Sequence, residues 1–174
     1  MLSNLTYKVV SYDYMDQLNS DDVINWAREM LDLGFSTPSL YIIASIEKGS
    51  SLYEVQPYLE QALNELRLKR KTGREALISY CRYYVNEIAE QEKVRENVKT
   101  LCDICISEDY APEIYDFYNL NFAWMDYEYD PNYPFNHYWE GATAKNIRRI
   151  CIKEAEKWLD KYEEQYEQNT TNIN

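Results

Sequence analysis

Apolar residues recur every three to four positions along most of this chain, which is the spacing of one face of an α-helix. The clearest stretch follows a Ser51–Glu54 capping pair and has an apolar stripe made of Leu52, Val55, Leu59, Ala62, Leu63 and Leu66. All four glycines, at positions 34, 49, 73 and 141, stand at the boundaries between such segments. Helices with apolar stripes have to bury them against one another, so the sequence predicts an all-α fold.

The predicted architecture is an irregular bundle of six to seven helices, with stacked antiparallel helix pairs as one arrangement that the short connections allow. The predicted helices cover residues 21–33, 38–48, 51–66, 73–88, 94–106, 112–125 and 142–166. In the sixth helix, the predicted stripe is Ile114, Tyr115, Tyr118, Phe122 and Met125. Residues 1–19 alternate only weakly, and a lone strand would lack a pairing partner, so we expect an extended arm or a loop there.

The chain length of 174 residues fits a single domain, which we place at residues 1–168, followed by a flexible polar tail at residues 169–174. No apolar run approaches the ~20 residues that a membrane-spanning helix requires, so no membrane association is predicted. The N-terminal stretch MLSNLTYKVVSYDYMD lacks the basic and apolar regions of a signal peptide. This absence predicts a cytoplasmic protein.

Acidic residues outnumber basic residues, which gives a net charge of −12, and they are unevenly distributed. Residues 1–100 contribute −3 of this charge, and residues 101–174 contribute −9. Between Lys99 and Lys145 the chain holds nine acids and no Lys or Arg. Such a field repels phosphates and attracts cations, so the sequence argues against nucleic acid as a partner and favours a basic protein.

Signatures of catalysis are weak. Four cysteines stand at positions 81, 102, 105 and 151, and each lies on the apolar stripe of its own predicted helix. Core packing by reduced thiols is therefore favoured over a redox centre at the CxxC pair, Cys102 and Cys105, or a zinc site. His137 is the only histidine, and Glu140 alone beside it is too little for a metal site. No glycine-rich phosphate loop is present, so we predict no catalytic residue, no metal and no cofactor.

Residues 121–141, NFAWMDYEYDPNYPFNHYWEG, form the most unusual stretch, since eight of the 21 residues are aromatic and four are acidic. Its prolines predict a long loop between the last two helices. In one interpretation, the rings fill the core between these helices. In the other, rings and carboxylates form a protein-binding surface, because Tyr and Trp are rigid amphipathic anchors. The candidate partner-binding residues are then Asp126, Tyr127, Glu128, Tyr129, Asp130, Tyr133, His137 and Trp139.

Residues 26–90 carry a resemblance to a known class of proteins. The stretches WAREMLDLGFSTPSLYIIASI, YEVQPYLEQALNELRL and REALISYCRYYVNEIA resemble small, all-helical bacterial proteins of the toxin-immunity kind, which belong to polymorphic toxin loci. The shared pattern is a Trp-Ala helix, a Gly turn, a Ser/Thr-Pro-Ser-Leu restart and a Tyr-and-Leu helix. These are mostly core and cap positions, so the resemblance implies a helical fold first and inhibition of a cognate toxin second.

Charge and resemblance together favour a non-enzymatic, acidic protein-binding domain, namely an immunity protein that occludes a basic surface of its toxin. A nuclease would fit as the toxin, because its substrate cleft has to be basic. Two alternatives remain. One is a helical adaptor or scaffold for an endogenous protein, and the other is a metal- or thiol-dependent enzyme that uses His137 or Cys102. The sequence predicts no particular oligomeric state.

Overall fold

A computed structural model describes residues 1–12 and 18–170 of the chain, with the side chains of this part up to Tyr162. This part contains eight α-helices and no β-strand, which confirms the predicted all-α class. The helices are α1 (Thr6–Val9), α2 (Ser20–Asp32), α3 (Pro38–Ser45), α4 (Leu52–Glu65), α5 (Gly73–Ala89), α6 (Val94–Ser107), α7 (Tyr115–Tyr129) and α8 (Ile147–Thr170). The predicted helical segments correspond to α2 through α8, and α1 is an addition.

The chain divides into two compact units, Met1–Tyr83 and Tyr84–Asn174, and the division falls inside α5. The first unit holds α1 to α4 and the start of α5, whereas the second holds the end of α5 and α6 to α8. The single domain expected for residues 1–168 stays a prediction. Helix α8 continues to Thr170, and the last residues of the expected tail lie outside the described part.

The first unit is built around Trp26 of α2, whose side chain is fully buried. Helices α2, α3 and α4 pack against one another, and α1 packs against α2. The indole Nε1 of Trp26 donates a hydrogen bond to Oγ1 of Thr6 at 3.0 Å, so the buried ring has its polar atom satisfied. This bond joins the N-terminal helix to the core of the unit.

The N-terminal residues differ from the extended arm or loop that we expected. Leu5, Val9 and Val10 are buried in the core of the first unit. The carbonyl of Val10 accepts a hydrogen bond from the main-chain N–H of Lys71 at 2.8 Å. A helix of one turn is too short to show a helical period in sequence, which is why the pattern missed it. Residues 13–17 of the same predicted segment lie outside the described part.

In the second unit, α6 and α7 pack side by side, and α8 packs against both. Its buried side chains include Val98, Leu101, Ile104, Phe117, Leu120, Ala123, Cys151 and Ala155. The indole Nε1 of Trp158 in α8 donates a hydrogen bond to the carbonyl of Glu113, just before α7, at 2.7 Å. This core fixes the position of α7, which carries many of the aromatic and acidic residues described above.

Candidate partner-binding surface

Helix α7 turns a different face to the core than the sequence pattern predicts. Phe117 and Leu120 are buried, whereas Tyr115 and Met125, which belong to the predicted stripe, are 41% and 46% exposed. The helix is aromatic or apolar on nearly all sides, so both sets of residues have helical spacing. Spacing alone could not select the inward face.

Five aromatic side chains outside this core form a connected cluster, a row of four with Tyr110 attached at Tyr118, which we call the tyrosine ladder: Tyr110, Tyr115, Tyr118, Phe122 and Tyr138. The ring centroid of Tyr118 is 5.6 Å from that of Tyr110, 5.2 Å from that of Tyr115 and 4.8 Å from that of Phe122. Phe122 in turn stacks on Tyr138 at 5.2 Å, with an interplanar angle of 27°. Rings at these distances stabilise one another, so the ladder is an ordered surface.

The outer rings of the ladder face solvent. Tyr110, Tyr115 and Tyr138 all have exposed side chains. Partial burial raises the pKa of Tyr118, and the nearby hydroxyls of Tyr110, Tyr115 and Tyr138 raise it further. The ladder therefore offers apolar ring faces together with a group of hydrogen-bonding hydroxyls.

The loop 130–146, which joins α7 to α8, is fastened by the buried side chain of Asn136. Its Nδ2 donates to the carbonyl of Ala123 at 3.2 Å and to Oδ2 of Asp126 at 3.3 Å. Its Oδ1 accepts from the main-chain N–H groups of Tyr138 and Trp139, both at 3.0 Å. These four bonds use the full capacity of the carboxamide, and they hold Tyr138 beside α7.

Two further side chains fasten the end of this loop. The hydroxyl of Tyr127 donates to the carbonyl of Ala142 at 2.6 Å. The Nδ2 atom of Asn146 donates to the carbonyl of Gly141 at 3.0 Å. The predicted loop is therefore present, but it begins only at residue 130, because α7 continues through Asp126 and Tyr127 to Tyr129.

The three carboxylates of the predicted site have partners within the chain. Both oxygens of Glu128 are engaged by Arg95 of α6, at 2.7 Å from Nε and 3.0 Å from Nη2. Asp126 accepts the bond from the loop described above, and Oδ1 of Asp130 accepts from the main-chain N–H of Asn132 at 3.0 Å. Asp126 and Asp130 each engage one oxygen in these bonds, so they keep more capacity for an external cation than Glu128 does.

The predicted aromatic anchors fall into two groups. Tyr129 is 93% exposed, Tyr133 and His137 are also exposed, and Trp139 is half-buried. Tyr127 is only 5% exposed, and its hydroxyl is used inside the loop. The sequence left open whether these rings lie in the core or at the surface, and Tyr127 lies inward, where it supports the surface from below.

The ion pair between Arg95 and Glu128 predicts a pH effect. The hydrogen bonds and charge of Arg95 lower the pKa of Glu128 below its ordinary value of 4.5. Because the folded-state pKa is the lower one, the stabilisation is complete above about pH 4.5 and is lost as the pH falls through the folded-state pKa. Glu128 is half exposed, so we expect the ion pair to contribute less than about 1 kcal/mol to the free energy of unfolding.

Arg95→Met should raise the pKa of Glu128 towards 4.5, which carbon-detected NMR of the carboxyl group can follow during an acid titration. The exposed Lys99, one turn further along α6, provides the control. Lys99→Met should leave the pKa of Glu128 almost unchanged. Equal titration curves for wild type and Arg95→Met would contradict the role assigned to this pair.

All four cysteines are buried, as their positions on the helices predict. Burial raises the pKa of the Cys105 thiol to about 11 and that of Cys151 to about 12, and it raises the pKa of Cys102 as well. Thiols that stay protonated at neutral pH are weak nucleophiles. Within residues 1–12 and 18–162, no three His, Cys, Asp or Glu side chains come together as metal ligands.

The bases of the second half of the chain are concentrated in α8 and the turn before it. Four of them, Lys145, Arg148, Arg149 and Lys153, line an open concavity of the surface. Arg148 also donates to the carbonyl of Gln91 at 2.9 Å. The stretch that forms the tyrosine ladder and most of the loop contains acids but no Lys or Arg.

No protein-family model, no curated protein and no solved structure matches this chain. In the part of the chain that the structure describes, no helix is both long and apolar enough to cross a bilayer.

Proposed function

We propose that this chain is a non-enzymatic, acidic protein-binding domain and that its partner is a basic protein. More specifically, we propose an immunity protein that inhibits a cognate bacterial toxin by covering a basic surface. The main support is the exposed aromatic and acidic surface at the end of α7 and in the loop 130–146. Most of this surface belongs to the stretch between Lys99 and Lys145, which contains no Lys or Arg. The resemblance of residues 26–90 to immunity proteins adds the toxin as the class of partner.

The residues of this surface have different roles in the proposal. Tyr129, Tyr133 and Trp139 are the anchors, because their rings reach solvent and have few rotatable bonds to order on binding. Exposed His137 lies among them on the loop. The charges of Asp126 and Asp130 attract the partner, whereas Tyr127 and Glu128 hold the surface in shape.

Occlusion by an acidic surface suits a nuclease, whose cleft has to attract a phosphate backbone. The same cleft attracts carboxylates, so the inhibitor and the nucleic acid would compete for it. Charge attraction raises association rates by ~10–10³-fold at low salt and is screened over about 10 Å at 0.1 M salt. Binding should therefore be fast and sensitive to salt.

Neutralising the two carboxylates should slow association. Asp126→Asn with Asp130→Asn removes two charges and keeps a hydrogen-bond acceptor at each position, so the loop stays fastened. We expect the association rate constant to fall about 3–10-fold at low salt, with a smaller difference as salt rises. Stopped-flow or surface plasmon resonance with the partner captured from native host cells measures this rate.

Asp32→Asn with Glu47→Gln is the matched control, because it removes the same charge from exposed positions of the first unit. This control should stay within about twofold of the wild-type rate, since the removed charges lie outside the proposed surface. An association rate that does not respond to salt, or an equal loss in both double variants, would argue against docking through this surface.

The immunity and adaptor functions differ in their effect on a cell. If the chain is an immunity protein, the product of a neighbouring toxin gene should arrest growth when expressed alone, and co-expression of this chain should restore growth. A captured partner that is harmless would favour the adaptor. The buried thiols give no support to the enzyme alternative, whereas a stoichiometric metal in the purified protein would support it.

A further inference from the structure

Aromatic rings elsewhere in this molecule carry a cation from the same chain. The guanidinium carbon of Arg70 lies 4.6 Å from the ring centroid of Tyr12, and that of Arg95 lies 5.6 Å from the ring of Trp124. A guanidinium group is attracted by the negative face of a ring and stacks flat against it. Arginine on an aromatic face is therefore a contact that this chain already uses.

The tyrosine ladder differs in having no such cation. Within the described part of the chain, no Lys or Arg lies over any of its five rings. Exposed acids adjoin it in the chain, namely Asp109 beside Tyr110 and Asp116 beside Tyr115. The ladder thus combines open ring faces with a negative local charge, and both features attract a guanidinium group.

We propose that the tyrosine ladder is the docking surface for an arginine-bearing segment of the basic partner, with guanidinium groups stacked on Tyr115 and Tyr138. This inference rests on the proposed function, because it names the chemistry by which the basic partner is held. Arginine is preferred to lysine, since its planar group covers a ring face and can bond a carboxylate with two parallel N–H groups.

The dimensions of the ladder define the segment that fits it. From Tyr115 to Tyr138 the ring-to-ring steps are 5.2, 4.8 and 5.2 Å. The whole span is therefore at most about 15 Å, which four to five residues of extended chain cover at roughly 3.3 Å per residue. Two arginines four positions apart point to the same side of an extended segment and match this span.

The test compares two short peptides that differ only in the cation, one with the core Arg-Gly-Ser-Gly-Arg and one with the core Lys-Gly-Ser-Gly-Lys. Titration of the full chain, followed by NMR shifts of the tyrosine rings, gives both affinities. We expect the arginine peptide to bind about fivefold more tightly and to shift the signals of Tyr115 and Tyr138. Equal affinities, or no shift at these rings, would overturn the proposal.

Three double variants identify the contact. Tyr115→Leu with Tyr138→Leu keeps apolar area but removes the ring faces, and it should weaken the arginine peptide about tenfold. Tyr115→Phe with Tyr138→Phe keeps the faces and should bind like wild type. Tyr41→Leu with Tyr53→Leu changes two exposed tyrosines of the first unit and should have no effect. Wild-type affinity in the first variant would also overturn the proposal.

Failure of this inference can be told apart from failure of the proposed function. In one outcome, the captured partner associates in a salt-sensitive way and Asp126→Asn with Asp130→Asn slows its association, but Tyr115→Leu with Tyr138→Leu binds it as wild type does. The partner is then basic but contacts a surface other than the tyrosine ladder. If the captured partner is not basic and ignores the charge variants, the proposed function itself fails.

Discussion

Replacing Phe117 with alanine should lower the free energy of unfolding of the second unit by about 3–5 kcal/mol. The side chain is 1% exposed, so its removal loses the burial of a whole ring and leaves a cavity between α7 and its neighbours. Denaturant unfolding followed by circular dichroism gives the difference from wild type. No other alanine substitution in α7 should have a larger effect, because Phe117 is its largest fully buried side chain.

The matched control is Tyr115→Ala, two positions earlier in the same helix. Its ring is exposed and contacts Tyr118 alone within the ladder, so we expect a loss of about 1 kcal/mol or less. Together the two variants test which face of α7 packs inward. A larger loss in the free energy of unfolding for Tyr115→Ala than for Phe117→Ala would instead support the inward face that helical spacing predicted.

Asn136→Ala should cost about 2–3 kcal/mol of free energy of unfolding. The change removes four hydrogen bonds, and it leaves the N–H groups of Tyr138 and Trp139 and the carbonyl of Ala123 without this partner. Local loosening should accompany the loss of stability. Hydrogen exchange at the amides of Tyr138 and Trp139 should become at least about tenfold faster, because these amides lose their acceptor.

Asn132→Ala provides the control for this variant. Asn132 lies on the same loop with an exposed side chain, and its main-chain N–H bond to Asp130 survives the substitution. We expect a change within about 0.5 kcal/mol. If Asn136→Ala were equally mild, and exchange at Tyr138 stayed slow, other contacts would have to hold the loop in place.

Most of the helices could be predicted because their capping residues and their apolar stripes indicate the same segments of the chain. Helix α4 is capped by Ser51 as predicted, but Oγ of Ser51 accepts a bond from the N–H of Tyr53 at 3.1 Å rather than from that of Glu54, the other member of the predicted capping pair. Helix α2 begins at Ser20, one residue before the predicted start, because the side chain of Asn19 caps it and accepts from the N–H of Asp22 at 2.8 Å. Asn and Ser cap helices about equally well, so capping propensity does not distinguish Asn19 from the adjacent Ser20.

The candidate surface could be predicted only in part. The composition of residues 121–141 indicated an aromatic and acidic segment but left open which of its rings are exposed, and Tyr129 is one that is. The inward position of Tyr127 depends on the carbonyl of Ala142, which returns to α7 only at the end of the loop. Likewise, Tyr138 joins the tyrosine ladder because Asn136 fastens the loop to α7. Contacts across a loop of this length leave no periodic signal in the sequence.

The fastening of the loop 130–146 has a thermodynamic consequence for any partner. Side chains that are already held in one arrangement lose little conformational entropy when a second surface covers them. The heat-capacity change of association would then reflect the area covered between two ordered surfaces, without the added contribution of a segment that folds on contact. A partner that docks on this loop would therefore meet a surface whose shape exists before the encounter.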